Sequence, residues 1–451
     1  MPQSLAGLEV RLAQGTVTAR ALVEESLARI DDPDGEGKLA FLKVHRDRAR
    51  HLADYYDSAR KAGYPVPRYG GVPFSVKDLF DEAGEVTRAG SRLLAGAAPA
   101  ASDAPAIARL KHAGFIAIGR TNMTEFAYSG VGLNPHYGTP RSPWDRKTGR
   151  IPGGSSSGAA VSVADGMVPL AIGSDTGGSC RIPAAYNGIV GYKPSTGRVP
   201  LTGAYPLSAS FDSIGPIANS VACCAIADAI MAGADGDVPR ALPADRIRFA
   251  VPRSHLIENL EPEVETSFAR AIAVLRSAGM RVDEIDYGDL RDIPAINSKG
   301  GIVVAEALAH HRRQLDEAEA SYDPRVSRRI LAGSQISGAD LIEIIAARRK
   351  LIRDNARLMA SFDALVVPTT PNVPPPISAL ERDEDYLRFN AMSLRNTSIG
   401  NFLDQCSISL PMHAPGEPPA GLMLMAPHGR DRHMFALALA VEGALAGTRG
   451  G

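Results

Sequence analysis

Apolar side chains recur at helical spacing in the first part of the chain. Residues 4–14 and 18–30 predict two short amphipathic helices, with Gly15 at the end of the first and Thr18 as the N-cap of the second. Residues 45–62 return to the same spacing and predict a third helix.

The spacing then changes to alternation at residues 72–76, which predict a half-buried strand that ends at Lys77. Residues 103–112 predict a helix and residues 115–119 the next strand. Strands that alternate with helices indicate an α/β protein whose sheet carries helices on its faces.

The same alternation continues to the end of the chain. The predicted strands are 168–172, 248–251, 281–285, 364–368, 407–411 and 421–426, and the predicted helices are 158–165, 221–233, 261–278 and 431–445. Residues 296–358 are mostly helical in pattern, with breaks near Ser321 and Gly338. The long loop 131–150 holds the only tryptophan and is predicted to form a pocket wall, because long loops in compact domains are usually functional.

Composition is that of an ordinary globular protein. The chain has 451 residues, 45% hydrophobic and 22% charged, with a formal net charge of −1. The balanced charge gives no sign of a nucleic-acid or anionic-membrane partner, and no apolar run approaches the roughly 20 residues of a membrane helix. Residues 1–11 have no basic segment followed by an apolar one, so we expect no secretion signal, and the four cysteines lack metal-ligand spacing. We therefore expect a cytoplasmic protein.

Candidate chemistry is concentrated in residues 150–193, which contain two Gly-Gly-Ser turns. Ser155 ends the first turn, and Ser179 ends the second, 24 positions later. Glycine lets backbone N–H groups approach a ligand closely. A serine flanked by such N–H groups is a candidate nucleophile with its own oxyanion hole.

Two other interpretations of this stretch are weaker. A phosphate-binding loop of the NTPase type needs a Gly-Lys-Ser/Thr ending, and no lysine follows Gly154 or Gly178 in that way. Residues 154–158 match the G-x-S-x-G elbow of α/β-hydrolases, with Ser156 as nucleophile. That elbow must follow a strand directly, whereas residues 145–152 are polar and contain proline.

A third interpretation joins Lys77 with the two serines. Ser179 would attack a carbonyl, Ser155 would relay the proton, and Lys77, held neutral by burial, would be the base. A lysine at the end of a strand is more often solvated, since buried lysines are rare. The composition of the chain does not choose among these geometries.

Several motifs, taken in order, resemble the amidase signature family along most of the chain. They are 71–78 (GVPFSVKD), 121–122 (TN), 153–156 (GGSS), 173–179 (GSDTGGS), 191–195 (GYKPS) and 421–425 (GLMLM). The resemblance implies a single large α/β domain over residues 1–451, with a central mixed β-sheet covered on both faces by α-helices. Residues 1–62 are expected to form N-terminal helices, 69–217 the catalytic core, and 218–451 the remaining sheet, a helical insert and the pocket cover.

The resemblance also implies the roles of the site residues. Lys77 is the base, Ser155 the bridging serine that follows a cis peptide bond at Gly154–Ser155, and Ser179 the nucleophile that forms an acyl-enzyme. The remaining assignments are Thr176, Gly177 and Gly178 to the oxyanion hole, and Ala127, Tyr128 and Ser129 to the substrate pocket. No metal or organic cofactor is implied.

Some neighbouring residues are interpreted as structural. Asp175 and Arg181 are expected to form an ion pair, because buried charges generally pair. Cys180 and His136 are expected to pack rather than react or bind a ligand. Ser157 occupies a position at which the family often has glycine.

The resemblance predicts an amidohydrolase that cleaves a carboxamide or ureide C–N bond and releases ammonia or an amine. The alternative is the catalytic component of a tRNA-dependent amidotransferase, which works with partner subunits. Residues 322–330 resemble stand-alone amidases, and residues 121–140 resemble carboxybiuret-type ureide hydrolases. The expected partner is a small amide or ureide substrate, with room for a homodimer or a small partner subunit, and without nucleic acid or membrane.

Overall fold

One sheet of eleven strands runs through the computed structural model, which describes residues 4–447. The strands are β1 (Phe41–Val44), β2 (Pro73–Lys77), β3 (Ile116–Thr121), β4 (Leu170–Ser174), β5 (Val190–Lys193), β6 (Ile214–Ala218), β7 (Arg248–Arg253), β8 (Arg281–Asp286), β9 (Ala364–Pro368), β10 (Cys406–Pro411) and β11 (Gly421–Ala426). Their order across the sheet is β1-β3-β2-β4-β6-β5-β10-β11-β9-β7-β8.

The sheet is mixed. β2 is parallel to both β3 and β4, and β7 is parallel to both β8 and β9. The strands in the middle, from β4 through β6, β5, β10 and β11 to β9, pair in antiparallel fashion. The chain is thus a single α/β domain with a large mixed sheet, as predicted.

Helices flank this sheet. They are α1 (Leu5–Ala13), α2 (Ala19–Ile30), α3 (Gly37–Ala40), α4 (Arg46–Lys61), α5 (Pro105–His112), α6 (Ser157–Ala164), α7 (Arg181–Asn187), α8 (Val221–Met231), α9 (Pro262–Ser277), α10 (Ile293–Ile296), α11 (Gly301–Ala318), α12 (Pro324–Leu331), α13 (Gly338–Leu358), α14 (Asp383–Leu394), α15 (Thr397–Phe402) and α16 (Asp431–Ala446).

Local sequence signals account for several helix ends. The hydroxyl of Thr18 accepts a hydrogen bond from the Ala21 amide, so Thr18 is the N-cap of α2, as predicted. The mostly helical stretch 296–358 contains α11, α12 and α13, separated near the two predicted breaks. Ser337 and Asp340 form a capping box at the start of α13.

Burial explains the near-continuous apolar runs of the central strands. Every residue of β2, β3, β4, β5, β6, β9 and β11 is buried, since helices cover both faces of the sheet. Strands buried on both faces lose the alternation that marks a half-exposed strand. The polar side chains at the ends of these strands therefore lie in a dry environment.

The length and composition of the helices bear on whether the chain crosses a membrane. Among the described residues, no single helix is both long enough and apolar enough to do so. The bent pair Pro324–Gln335 and Gly338–Ser361, at 97°, meets that test only when its two parts are joined.

Candidate active site

The carboxyl ends of two neighbouring parallel strands form the base of the site. β2 and β4 pair with Ser75 opposite Ala171 and Val76 opposite Ile172, so both strands end at the same edge of the sheet. Lys77 is the last residue of β2, and Ser174 is the last residue of β4. The Nζ of Lys77 accordingly lies 2.9 Å from the Oγ of Ser174.

Lys77 has a second polar contact, to Ser155. Its Nζ lies 2.8 Å from the Ser155 Oγ, and both side chains are fully buried. Burial lowers the pKa of Lys77 to about 7, and the attraction of the Asp175 and Asp212 carboxyl groups offsets only part of that effect. A large fraction of this lysine is therefore neutral near pH 7, which is the state that a general base requires.

Ser155 lies in the turn before α6. The Gly154–Ser155 peptide bond is cis, as the resemblance implied. The Ser155 carbonyl accepts a hydrogen bond from the Thr124 amide at 3.1 Å, and α6 packs against β2 and β4. The turn is thus fixed on the ends of the strands that carry Lys77 and Ser174.

Ser179 lies in the loop between β4 and α7. A buried ion pair stabilises that loop: the Nη2 and Nε of Arg181 lie 2.9 and 3.0 Å from the two carboxylate oxygens of Asp175. Asn401 bonds to both partners. Burial opposes ionisation, but the Arg181 charge and these hydrogen bonds hold the pKa of Asp175 down to about 2. The predicted pairing of Asp175 with Arg181 is confirmed.

The backbone amides expected to form the oxyanion hole differ in whether they already donate a hydrogen bond within the protein. The Gly178 amide donates to the Asp175 Oδ1 at 2.8 Å, so the assignment of Gly178 to the oxyanion hole is wrong in this geometry. The reason is that Asp175, which is also ion-paired, turns back towards its own loop. Within residues 4–447, the amides of Thr176, Gly177 and Ser179 form no hydrogen bond with the protein, so they are available to a ligand.

A cavity of about 540 Å³ opens beside Ser179. Thr176, Gly177 and Ser179 line one part of it, together with the three residues predicted for the pocket, Ala127, Tyr128 and Ser129. Most of the remaining wall comes from α10, α11, α14 and α15, and it includes Leu207, Phe211, Ile302, Ile399 and Phe402. The site therefore joins buried polar groups to a largely apolar space, as is usual for small-molecule sites.

The loop 131–150 has a different role from the one expected. None of its residues lines the cavity, so its prediction as a pocket wall is wrong. Its Trp144 ring packs under the Arg150 guanidinium at 4.5 Å. His136 bonds to Glu125 at 2.8 Å, consistent with a packing role.

Two side chains beside the serines are explained by their contacts, and of these Cys180 was predicted to have a packing role. Cys180 is fully buried, and burial raises the pKa of its thiol well above the usual value, which disfavours a reactive thiolate. The Ser157 hydroxyl donates to the Asn122 carbonyl at 3.4 Å. The extra hydroxyl is thus accommodated at the start of α6.

The α/β-hydrolase interpretation requires a strand that ends directly before the nucleophile Ser156. Within the described chain, no strand precedes Ser156 directly, since the element before it is a short 3-10 helix, Glu125–Ala127. The Ser156 hydroxyl donates to the Ser174 carbonyl at 3.4 Å and is fully buried. Ser156 therefore supports the loop.

Sequence reasoning missed other residues of the site, namely Ser174, Thr397 and Asn401. The Thr397 hydroxyl donates to the Gly177 carbonyl at 2.6 Å and so anchors the nucleophile loop to α15. Ser174 had a signal, because it lies two residues after the predicted strand 168–172 and inside the motif 173–179. Thr397 and Asn401 had none, because they lie more than 200 positions away in sequence.

The sequence model of the Amidase family matches residues 21–435. The chain belongs to the amidase family. It is 33% identical over 447 residues to the 2-amino-5-chloromuconic acid deaminase of Comamonas testosteroni, covering 97% of this chain and 95% of that protein. It is 36% identical over 409 residues to one subunit of the glutamyl-tRNA(Gln) amidotransferase of Roseiflexus sp. (strain RS-1), covering 82% of each.

A solved structure is also similar. A crystal structure of an amidase superposes with a TM-score of 0.87 at 31% identity, covering 98% of this chain and 99% of the other. The family membership and the fold agree with a hydrolase of C–N bonds. In the part of the chain that the structure describes, no cluster of three or more His, Cys, Asp or Glu side chains is arranged to hold a metal ion.

Proposed function

We propose that this amidase-family protein is an amidohydrolase that cleaves a carboxamide or ureide C–N bond through an acyl-enzyme on Ser179. The observation that carries the proposal is the contact between Lys77 and Ser155. Lys77 is fully buried, and burial lowers its pKa to about 7. Its Nζ lies 2.8 Å from the Ser155 hydroxyl, through which a proton would pass from Ser179 to the lysine.

The first half of the reaction forms the acyl-enzyme. Neutral Lys77 takes a proton from the Ser155 hydroxyl while Ser155 takes one from Ser179. The Ser179 oxygen bonds to the carbonyl carbon, and the carbonyl electron pair moves onto the oxygen. The free amides of Thr176, Gly177 and Ser179 support this oxyanion.

The intermediate then loses its nitrogen. The C–N bond breaks, and the departing nitrogen takes a proton back along the same relay, leaving Lys77 neutral. Water next attacks the ester carbon, loses a proton to the relay, and displaces the Ser179 oxygen, which recovers that proton. The products are a carboxylic acid, or a carbamic acid from a ureide, and ammonia or an amine.

Ammonia release by the purified chain from a panel of simple amides and ureides tests the proposal. Ser179→Ala should abolish turnover, labelling by a fluorophosphonate and acyl transfer to hydroxylamine. Ser156→Ala serves as the control, because it removes a neighbouring buried hydroxyl outside the proposed relay. Full turnover by Ser179→Ala would refute the assignment of the nucleophile.

The second candidate function is that of an amidotransferase component. It is favoured by the 36% identity to the Roseiflexus protein, although the Comamonas relative matches over a larger share of this chain. The two functions differ in their need for a partner. Steady turnover by the isolated chain supports the free-standing amidohydrolase, whereas labelling of Ser179 without turnover supports the amidotransferase component.

A further inference from the structure

Arg329 is a half-buried cation in the wall of the cavity that contains Ser179. Its guanidinium carbon lies 4.3 Å from the centre of the Tyr128 ring, and its Nη1 donates to the Tyr128 carbonyl. Its Nε and Nη2 form no hydrogen bond with the described residues, and neither atom is sealed from solvent. Arg329 therefore presents two free donors.

The neighbouring arginines of α12 are paired. Arg325 and Arg328 both form ion pairs with Asp383, at 2.8 and 3.0 Å. Arg329 differs from them because, among residues 4–447, it has no carboxylate partner. The basic run of this helix is thus divided between two arginines that face Asp383 and one that lines the cavity.

The second cation of the cavity wall, Arg395, is already occupied by the protein. Its Nε donates to the Asn396 Oδ1 at 2.9 Å, and its two terminal nitrogens donate to the carbonyls of Glu258 and Leu256. No Asp or Glu is present among the described residues that line the cavity. The described wall therefore carries a net positive charge. Arg329 is the arginine whose Nε and Nη2 remain free to bind a ligand.

Arg329 also lies where two spaces meet. A second cavity of about 400 Å³ is lined by Tyr128, Gly300, Val304 and Arg329, and all four residues line the inner cavity as well. A molecule that extends from Ser179 towards this outer space would pass the free donors of Arg329. The inner wall between them is largely apolar.

We propose that Arg329 binds a carboxylate of the substrate, so that the preferred amide carries an anionic group joined to the scissile bond by an apolar segment. A guanidinium keeps its charge in proteins, and its planar fork matches the two oxygens of a carboxylate. The inference rests on the proposed function, because it takes the cavity as the place of the scissile amide. Monoamides of dicarboxylic acids and N-acyl amino acids have the required chemistry.

Binding to the Ser179→Ala protein tests the inference without turnover. Calorimetry would compare succinamate, glutaramate, adipamate and N-acetylglycine with their methyl esters, which lack the charge. We expect at least one acid to bind more tightly than its ester, and Arg329→Met to weaken that acid on the order of 10- to 100-fold with little effect on the ester. Arg328→Met is the matched control, since it removes an adjacent charge that faces Asp383, and it should leave binding unchanged.

Three results would overturn the inference: no acid binds, the esters bind as tightly as the acids, or Arg329→Met weakens acid and ester equally. Arg329→Lys, which keeps the positive charge, should retain part of the preference for acids over their esters. Arg329→Glu, which reverses the charge, should instead favour 4-aminobutyramide, an amide that carries an ammonium group. These two variants separate a lost charge from a disturbed Tyr128, because a merely structural role would not follow the sign of the side chain.

Turnover by the Ser179 protein separates the two proposals. Hydrolysis of neutral amides without any Arg329-dependent preference for acids would overturn this inference and leave the proposed function intact. Arg329-dependent binding of acids that are never hydrolysed, even by the protein that carries Ser179, would support the inference and contradict the proposed function.

Discussion

Asp175 and Arg181 form a fully buried, two-point ion pair at the base of the loop that carries Ser179. The same carboxylate accepts hydrogen bonds from the amides of Gly178 and Cys180, on either side of the proposed nucleophile. Arg181 in turn donates to the Thr397 carbonyl on α15. The pair therefore couples the conformation of the loop to the cavity wall.

Arg181→Met should destabilise the protein by about 3–5 kcal/mol, because it leaves the Asp175 carboxylate buried without its partner. Urea unfolding at pH 7 measures this. With a folded pKa near 2, below its unfolded value, Asp175 contributes stability that is complete at neutral pH and is lost as pH falls from about 4 towards 2.

Two variants control for that effect. Glu317→Gln breaks an exposed pair, in which the side chains of Arg313 and Glu317 are 88% and 65% exposed, and should change stability by less than about 0.5 kcal/mol. Asp175→Leu combined with Arg181→Met should recover part of the loss, since no unpaired charge remains. An Arg181→Met protein as stable as the wild type would contradict the structural role of the pair.

The sequence predicted the parts of the fold that carry a local signal. Caps and periodicity located α2 and α9, and alternation located β2, although its prediction as half-buried is wrong because helices on both faces bury every one of its residues. It missed β5 and β6, because both are short and contain residues that argue against a strand, namely Gly191 in β5 and Gly215 and Pro216 in β6. It also missed α7, because all of its residues are buried, so no exposed polar face marks the helix, and because it contains Pro183.

The site divides in the same way. Lys77 and Ser155 lie in motifs that the sequence displays, so their meeting could be predicted by resemblance. The bond between Gly178 and Asp175 depends on backbone direction inside a loop, which no spacing reveals. Arg329 lies in a basic run whose members differ only in tertiary partners. The features that sequence did not assign therefore depend either on the backbone geometry of one loop or on long-range contacts.

Gly178→Ala should disrupt the nucleophile loop. Gly178 has a φ of 137°, which favours glycine, and an added Cβ would lie 2.2 Å from the Thr397 Oγ1 and 2.6 Å from its Cβ. We expect a loss of about 3 kcal/mol or more in unfolding free energy and no fluorophosphonate labelling.

Gly197→Ala is the matched control, because Gly197 has a φ of 80° with nothing within 4 Å of the added Cβ. It should cost only about 1 kcal/mol, and equal costs for the two variants would show that the contact with Thr397 is unimportant.

Lys77→Met should abolish activity and yet stabilise the fold at pH 7 by about 1–3 kcal/mol, because it removes a buried group whose charge is costly. The lysine has a folded pKa near 7 and an unfolded pKa near 10.4, so the unfolded chain binds more protons between these values. Wild-type stability relative to the variant should therefore rise as pH increases from 7 to 10, and the advantage of the variant should shrink.

Lys350→Met, at a lysine with 67% side-chain exposure, should show neither effect. A stability difference that stays constant between pH 7 and 10 would indicate that the folded protein keeps the lysine charged.

Ser174→Ala should shift the pH dependence of the reaction rather than abolish it. The Ser174 hydroxyl lies 2.9 Å from the Lys77 Nζ, and an acceptor for the ammonium favours the charged form. Its loss should lower the pKa of Lys77 further, so the acid limb of log kcat/KM, expected near pH 7 in the wild type, should move down by roughly 1 unit. Ser162→Ala is the matched control: this buried hydroxyl bonds to Ser75 and to the Ala159 carbonyl, not to Lys77, and its removal should leave the limb in place. An acid limb that stays unchanged or moves up in Ser174→Ala would mean that the proton acceptor measured in the profile is not the lysine beside Ser174.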